Sequence, residues 1–240
     1  MIVVIAAFAA IAALLNPGAT RAPADLSDAA AVARSLEVKY ARALTLEAQF
    51  YERYRAGTGG GQAESGTVYF SKPGRMRWEY ESPESKLFIV DGKNVWFYVP
   101  ADHTASRAQV KESEDWRTPL SLLTGKVHLD RLCGRMELLD EASGAIAPGD
   151  LPGDPRNRIL VCLPRKTSDS QAAPFRQILF EVSPELDLAR VVIREPGDVE
   201  TEFRFANWRE NVALQESKFH FDPPPGVAIV NEEGLSRELH

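Results

Sequence analysis

The sequence has few residues of the kinds that build metal and redox centres. It contains only four histidines and two cysteines, and neither HExxH nor CxxC occurs. A histidine-based zinc site and thiol redox chemistry are therefore disfavoured. A GxSxG elbow, a P-loop and a GxGxxG fingerprint are also missing, and the glycine run at 59–61 has the wrong spacing. These absences argue against an enzyme and indicate neither a cofactor nor a metal.

An excess of positive charge is also lacking. The formal net charge is -6, which disfavours nucleic acid as a partner because phosphate binding needs a basic surface. With 44% hydrophobic and 26% charged residues, the composition is that of a globular protein. The 16 glycines and 16 prolines lie between apolar runs and indicate many turns.

The first residues form an uncharged apolar run, Ile2 to Leu15, which is broken by Asn16-Pro17-Gly18. Its length suits a signal peptide better than a membrane span, although no Lys or Arg precedes it. We expect a signal peptide at 1–24, a single domain at 25–231 and a polar tail at 232–240. A retained membrane anchor and a buried helix are the alternatives for the leader.

The remaining pattern predicts one helix followed by many strands, with a second short helical segment between them, from Trp116 to Val127 around Pro119. Asp25 to Tyr40 has helical spacing, with Ser27 as the cap. From Leu44 the period changes to two, and Asp91-Gly92 marks a hairpin. Residues 140–158 read as a long loop. Further strands are predicted at 67–70, 76–80, 87–90, 95–99, 159–163, 178–182, 188–194 and 202–208. The fold class is mainly β: a single curled antiparallel sheet that closes or nearly closes into a barrel, with helices covering its open side.

The two cysteines, Cys133 and Cys162, allow two interpretations. In an oxidising compartment they would form one disulfide, and otherwise they would be two buried thiols.

The hairpin around Asp91-Gly92 is apolar on both faces, and aromatic residues are concentrated around it and in the second half of the chain. One face needs a core, and the other needs a covering element or a ligand. A large apolar concavity in a soluble protein is usually a binding site.

Several ordered segments carry a resemblance to a known family. They are Gly66–Tyr80 (GTVYFSKPGRMRWEY), Asp91–Tyr98 (DGKNVWFY), Thr118–Leu123 (TPLSLL) and Phe219–Val227 (FHFDPPPGV). Their order and spacing, from about Leu26 to Val230, resemble the outer-membrane lipoprotein carrier (LolA) family.

The resemblance implies an incomplete antiparallel β-barrel, or half-barrel, with a helical lid and an N-terminal helix. It also implies a periplasmic, monomeric carrier without cofactor. Its partners would be triacylated outer-membrane lipoproteins, an inner-membrane lipoprotein-releasing ABC transporter and an outer-membrane lipoprotein acceptor. Related half-barrel domains sense lipids or lipoproteins by binding a regulatory protein, which is the alternative function.

The resemblance and the apolar pattern together predict the site residues. The acyl-chain binding set is Met76, Trp78, Phe88, Trp96, Tyr98, Phe180, Phe203 and Phe205. The lid set is Leu120, Leu122 and Leu123. The family's lid-controlling arginine falls on Lys72, which keeps the charge but lacks the planar fork of donors.

Overall fold

The computed structural model describes residues 28–57, 61–110, 122–123, 128–139, 152–165 and 175–231. The predicted signal peptide, the polar tail and Leu120 lie outside these residues.

Twelve strands form one curved, open sheet in the order β12-β6-β5-β4-β3-β2-β1-β11-β10-β9-β8-β7. The strands are β1 (Thr45–Ala56), β2 (Gln62–Ser71), β3 (Arg75–Ser82), β4 (Lys86–Val90), β5 (Asn94–Val99), β6 (Thr104–Gln109), β7 (Cys133–Leu139), β8 (Arg158–Pro164), β9 (Gln177–Val182), β10 (Leu188–Glu195), β11 (Val199–Glu210) and β12 (Ala228–Asn231). The predicted mainly-β, half-barrel class is confirmed, but the sheet does not close into a barrel.

One strand departs from the expected antiparallel pattern. β12 runs parallel to β6, whereas the other neighbouring strands of the described sheet are antiparallel. The chain leaves the sheet through the prolines at 223–225, which cannot donate to a ladder. It then returns beside β6, where the Ala228 amide donates to the His103 carbonyl at 2.9 Å.

The N-terminal helix, α1, spans Ala29–Arg42. It ends two residues beyond the predicted Tyr40. The cap is Asp28 and not Ser27: the Asp28 carboxylate accepts a hydrogen bond from the Ala30 amide at 3.1 Å. Because the first helical residue is Ala29, only residue 28 has the position that satisfies the free amides of the first turn. A second, single-turn helix, α2, spans Leu129–Leu132.

The main hydrophobic core lies on one side of the sheet, which we call the inner face. It carries the alternate residues Leu46, Ala48 and Phe50 of β1, as the period of two predicts. Leu44 does not belong to this row: it precedes β1 and is 68% exposed. α1 packs against the inner face through Val32, Ala33, Leu36 and Tyr40.

The opposite side, the outer face, has a smaller cluster under part of the predicted long loop. Ile159, Val161, Leu179 and Val192 form the cluster. Beside it, the Glu181 carboxylate accepts hydrogen bonds from the Gly153 amide at 2.7 Å and the Asn157 side chain at 2.8 Å. The described end of the loop, residues 152–157, is therefore fixed to the outer face of β9.

Candidate binding site on the inner face

Trp78 lies at the centre of the inner face and is only 1% exposed. Its indole contacts Phe50 at 4.7 Å between ring centroids, Phe203 at 5.6 Å, Phe70 at 6.1 Å and Phe205 at 6.3 Å. These rings come from β1, β2, β3 and β11, which are neighbours in the sheet. The result is a continuous aromatic floor.

The Trp78 indole nitrogen, Nε1, is buried and has no hydrogen-bond acceptor among the residues that the structure describes. A buried donor without a partner costs about 1–3 kcal/mol. An acceptor supplied by a ligand, such as an ester carbonyl, would remove that cost.

Six of the eight residues predicted to bind acyl chains belong to the inner-face core. They are Met76, Trp78, Phe88, Phe180, Phe203 and Phe205. They come from both halves of the chain and meet because β1 pairs with β11. The structure thus brings these six together, while their binding of acyl chains stays a prediction.

The other two predicted residues, Trp96 and Tyr98, lie on the outer face. There they pack against Phe221, with ring centroids 5.4 Å and 5.2 Å apart. The reason is the register of the hairpin: Phe88 pairs with Phe97, so Phe97 shares its face and Trp96 does not. Sequence reasoning missed Phe97, although the turn at Asp91-Gly92 fixes this register.

The predicted lid residues Leu122 and Leu123 are each 1% exposed and belong to the inner-face core. They form part of a short 3-10 turn outside the sheet. With α1 they cover the inner face. We call this packing of α1 and the two leucines against the inner-face core the closed arrangement.

α1 is held in place by polar contacts at its C-terminal half. The buried Lys39 ammonium lies 3.0 Å from a Glu210 carboxylate oxygen, donates to the Glu185 carbonyl at 3.1 Å and pairs with Asp187. The neighbouring Tyr40 hydroxyl accepts a hydrogen bond from the Leu188 amide at 2.8 Å. Burial raises the pKa of Tyr40 far above its usual value, so this hydroxyl stays neutral.

Lys72, at the position of the expected lid-controlling residue, contacts α1. Its ammonium donates to the carbonyl of Ala41 in the last turn of the helix. Its own amide donates to the Leu44 carbonyl at 3.1 Å. Burial lowers the pKa of the Lys72 ammonium. The contact therefore joins the β2–β3 turn to one of the two covering elements.

The second covering element is the Leu122–Leu123 turn. The chain that follows it is anchored at two points, the start of α2 and the start of β7. The Leu129 amide donates to the Glu37 carboxylate of α1 at 2.6 Å. Four residues later, Cys133 forms a disulfide with Cys162 of β8. The chain that follows Leu122 and Leu123 is thus attached both to α1 and to the sheet.

Glu37, His128 and Asp130 place three potential ligand atoms within 4.8 Å of one another. His128 and Asp130 are exposed, and Glu37 already accepts the Leu129 amide. We assign no ion to this group, because exposed acidic side chains commonly cluster without one.

At one end of the inner face the floor opens into a cavity of about 250 Å³. It lies at the ends of β1, β3 and β5 and the starts of β2 and β4, away from Lys72. The cavity is lined by Glu52, Tyr54, Gln62, Glu64, Tyr80, Glu84, Lys86, Phe97, Val99 and Asp102.

Across the residues that the structure describes, neither helix has the length and apolar character needed to cross a bilayer.

Comparison with known proteins identifies relatives of this chain. Residues 41–135 match the family model described as outer membrane lipoprotein carrier protein LolA. Three relatives are named outer-membrane lipoprotein carrier protein. The one from Xylella fastidiosa is 28% identical over 226 residues, covering 94% of this chain and 95% of the relative. The one from Nitrosomonas europaea is 28% identical, covering 70% and 73%. The one from Xanthomonas axonopodis pv. citri is 29% identical, covering 78% and 82%.

Similar solved structures include a LolA superfamily protein from Nitrosomonas europaea, with a TM-score of 0.43 and 9% identity over 79% of this chain and 97% of that one. MucB in the Pseudomonas aeruginosa MucA/MucB complex has a TM-score of 0.42 and 12% identity, over 81% and 61%. The family match spans α1's last turn to β7, and the curated relatives extend over most of the chain. Over residues 41–135 by the family model, and over most of its length at 28–29% identity, this chain is similar to the outer-membrane lipoprotein carrier (LolA) family.

Proposed function

We propose that the protein is a periplasmic carrier that shields the acyl chains of outer-membrane lipoproteins against the inner face of its sheet. The observation that carries the proposal is the aromatic floor around Trp78, which is covered by elements that lie outside the sheet. α1 and the Leu122–Leu123 turn are attached to the sheet through a few polar contacts and one disulfide. Such covers can move without breaking the strand ladder.

The closed arrangement gives a physical reason for both uptake and release. Each methylene removed from water is worth about 0.8 kcal/mol, so several exposed acyl chains cannot cross an aqueous compartment. A permanently open cavity would hold them with all of that energy. Here the acyl chains must displace Leu122, Leu123 and part of α1, whose own burial is lost on opening. The cost of opening offsets much of the gain from binding, which keeps transfer reversible.

The remaining parts of the proposal follow the family and the leader sequence. Residues 1–24 would direct export and be removed, leaving the carrier domain at 25–231 and a polar tail at 232–240. An inner-membrane ABC transporter would supply the lipoprotein, and an outer-membrane acceptor would receive it from a monomeric carrier. The protein performs no covalent chemistry and needs no cofactor in this role.

A release assay tests the proposal. Spheroplasts that hold labelled outer-membrane lipoprotein are incubated with the purified mature protein, and we expect a soluble one-to-one complex. Trp78→Glu, with its fold checked by circular dichroism, should abolish the complex, since a carboxylate at the centre of the floor disfavours acyl chains there. Leu44→Glu is the matched control, because Leu44 is exposed, and it should behave like the unmodified protein.

Two results would contradict the proposal. If the folded protein released nothing in the presence of the transporter from its own organism, the carrier function would be refuted. A protein partner would then be sought, as the sensing alternative requires. If folded Trp78→Glu released lipoprotein as well as Leu44→Glu, the inner face would not be the binding site.

A further inference from the structure

The cavity at the end of the inner face adjoins the aromatic floor directly. Tyr80, which lines the cavity, packs edge-on against Phe50 with ring centroids 5.0 Å apart. Phe50 in turn contacts Trp78 at 4.7 Å. A polar group joined to apolar chains on the floor would therefore reach the cavity without crossing another element.

The chemistry of the lining differs sharply from that of the floor. Four carboxylates, those of Glu52, Glu64, Glu84 and Asp102, face a single ammonium, that of Lys86. The rings of Tyr54, Tyr80 and Phe97 complete the walls. Carboxylates combined with aromatic faces are the surroundings in which proteins bind ammonium groups.

The protein's own Lys86 shows that an ammonium fits here. Its Nζ lies 5.4 Å from the centre of the Tyr80 ring and forms a salt bridge with Glu64. Glu52, at the inner end, is 6% exposed, and its carboxylate accepts a hydrogen bond from the Tyr80 hydroxyl at 2.9 Å. One wall is thus fixed, while Glu84 and Asp102 are exposed at the rim.

We propose that this acidic aromatic cavity binds an alkylammonium group of the cargo, namely a lysine side chain close to the acylated N-terminus of the lipoprotein. The inference rests on the proposed carrier function and adds a preference among cargoes. Acyl chains on the floor provide the affinity, and the lysine at the end of the floor provides the selectivity. Acidic residues at the same place in the cargo are disfavoured by like charge.

The test compares two synthetic triacylated lipopeptides that differ only in the residues after the acylated cysteine, a run of lysines or a run of glutamines. Binding is followed at low and high salt by the fluorescence of the protein's tryptophans. We expect the lysine peptide to bind about three- to tenfold more tightly at low salt, the effect of one or two partly exposed ion pairs. The difference should shrink as salt is added.

Variants locate the effect. Glu84→Gln with Asp102→Asn should remove most of the preference for lysine without weakening the glutamine peptide. Glu81→Gln with Asp222→Asn is the matched control: these carboxylates are also exposed but do not line the cavity, so the preference should remain.

The possible failures are distinguishable. If both peptides bind equally, the cavity inference is overturned and the carrier function stands. If neither binds, both fail. A third outcome is that the two peptides bind equally, and that a short-chain phosphatidylethanolamine competes with them while the matching phosphatidylglycerol does not. This result would assign the ammonium to a lipid head group and overturn the assignment to lysine.

Discussion

The indole of Trp96 lies against the ring of Phe221 on the outer face, with centroids 5.4 Å apart. This contact fastens the chain after β11 to the back of the β4–β5 hairpin. Phe221 covers the outer apolar face of that hairpin, so the proposed ligand needs only the inner face.

We expect Phe221→Ala to lower the free energy of unfolding by about 2–4 kcal/mol, since a large buried ring is removed from a small cluster. Affinity for a fluorescent fatty acid should not change, because Phe221 lies behind the sheet. Phe97→Ala, on the inner face, is the comparison and should weaken the fatty acid's binding. Denaturant unfolding and fluorescence titration measure the two effects. An equal loss of affinity in both variants would show that the outer face also binds ligand.

Leu122→Ala should favour opening. Leu122 is 1% exposed in the closed arrangement, and truncating such a leucine costs about 2–5 kcal/mol. If the turn moves away on opening, the substitution destabilises the closed state but not the open state. Uptake of a fluorescent fatty acid, followed by stopped-flow mixing, should then become faster. Leu46→Ala is the matched control in β1, equally buried. It should lower global stability without speeding uptake; equal rates in the two variants would mean that Leu122 does not belong to a lid.

Lys72 connects the β2–β3 turn to the last turn of α1 through the Ala41 carbonyl. We expect Lys72→Met to speed hydrogen exchange in the C-terminal half of α1, while global stability falls by no more than about 1.5 kcal/mol, the value of one exposed hydrogen bond. Lys72→Arg keeps a donor and should retain the protection. Unchanged exchange in Lys72→Met would show that Lys72 does not hold α1.

The Cys133–Cys162 disulfide closes a loop of 29 residues. Replacing both cysteines by alanine should lower the free energy of unfolding by about 3 kcal/mol. Because Cys133 follows α2 directly, hydrogen exchange should rise first in α2 and β7. Denaturant unfolding with and without reductant is the measurement. If reductant also lowered the free energy of unfolding of the alanine variant, the effect of reductant would not come from this disulfide.

Much of the fold was predictable because the period of two is strong in the strands. Leu46, Ala48 and Phe50 alternate as expected, and the hairpin at Asp91-Gly92 forms where the turn residues indicate it. The parallel partner of β6 was not predictable, since a strand that returns after three prolines carries no local signal of its direction.

The site was predictable only in part. Aromatic content identified the inner-face rings, but residue type does not distinguish the two faces of a strand, so Trp96 and Tyr98 were grouped with Phe88. The pairing register of β4 with β5 decides which residues of β5 share a face with Phe88. The prediction needed to follow that register residue by residue. The acidic cavity brings together residues from five strands and two connecting turns, and no single segment of sequence shows it.

For the proposed carrier function, the open sheet has a further consequence, which concerns the range of cargo sizes. A closed barrel has a diameter set by its number of strands and their stagger, so its interior has one size. In this sheet β12 and β7 are the two ends of the strand order, and no ladder joins them in the part of the chain that the structure describes. A small change of twist, shared among many strand pairs, would alter the width between these ends without breaking any ladder. Under the proposed function, such a change would adapt the volume of the interior to longer or bulkier acyl chains without a larger protein.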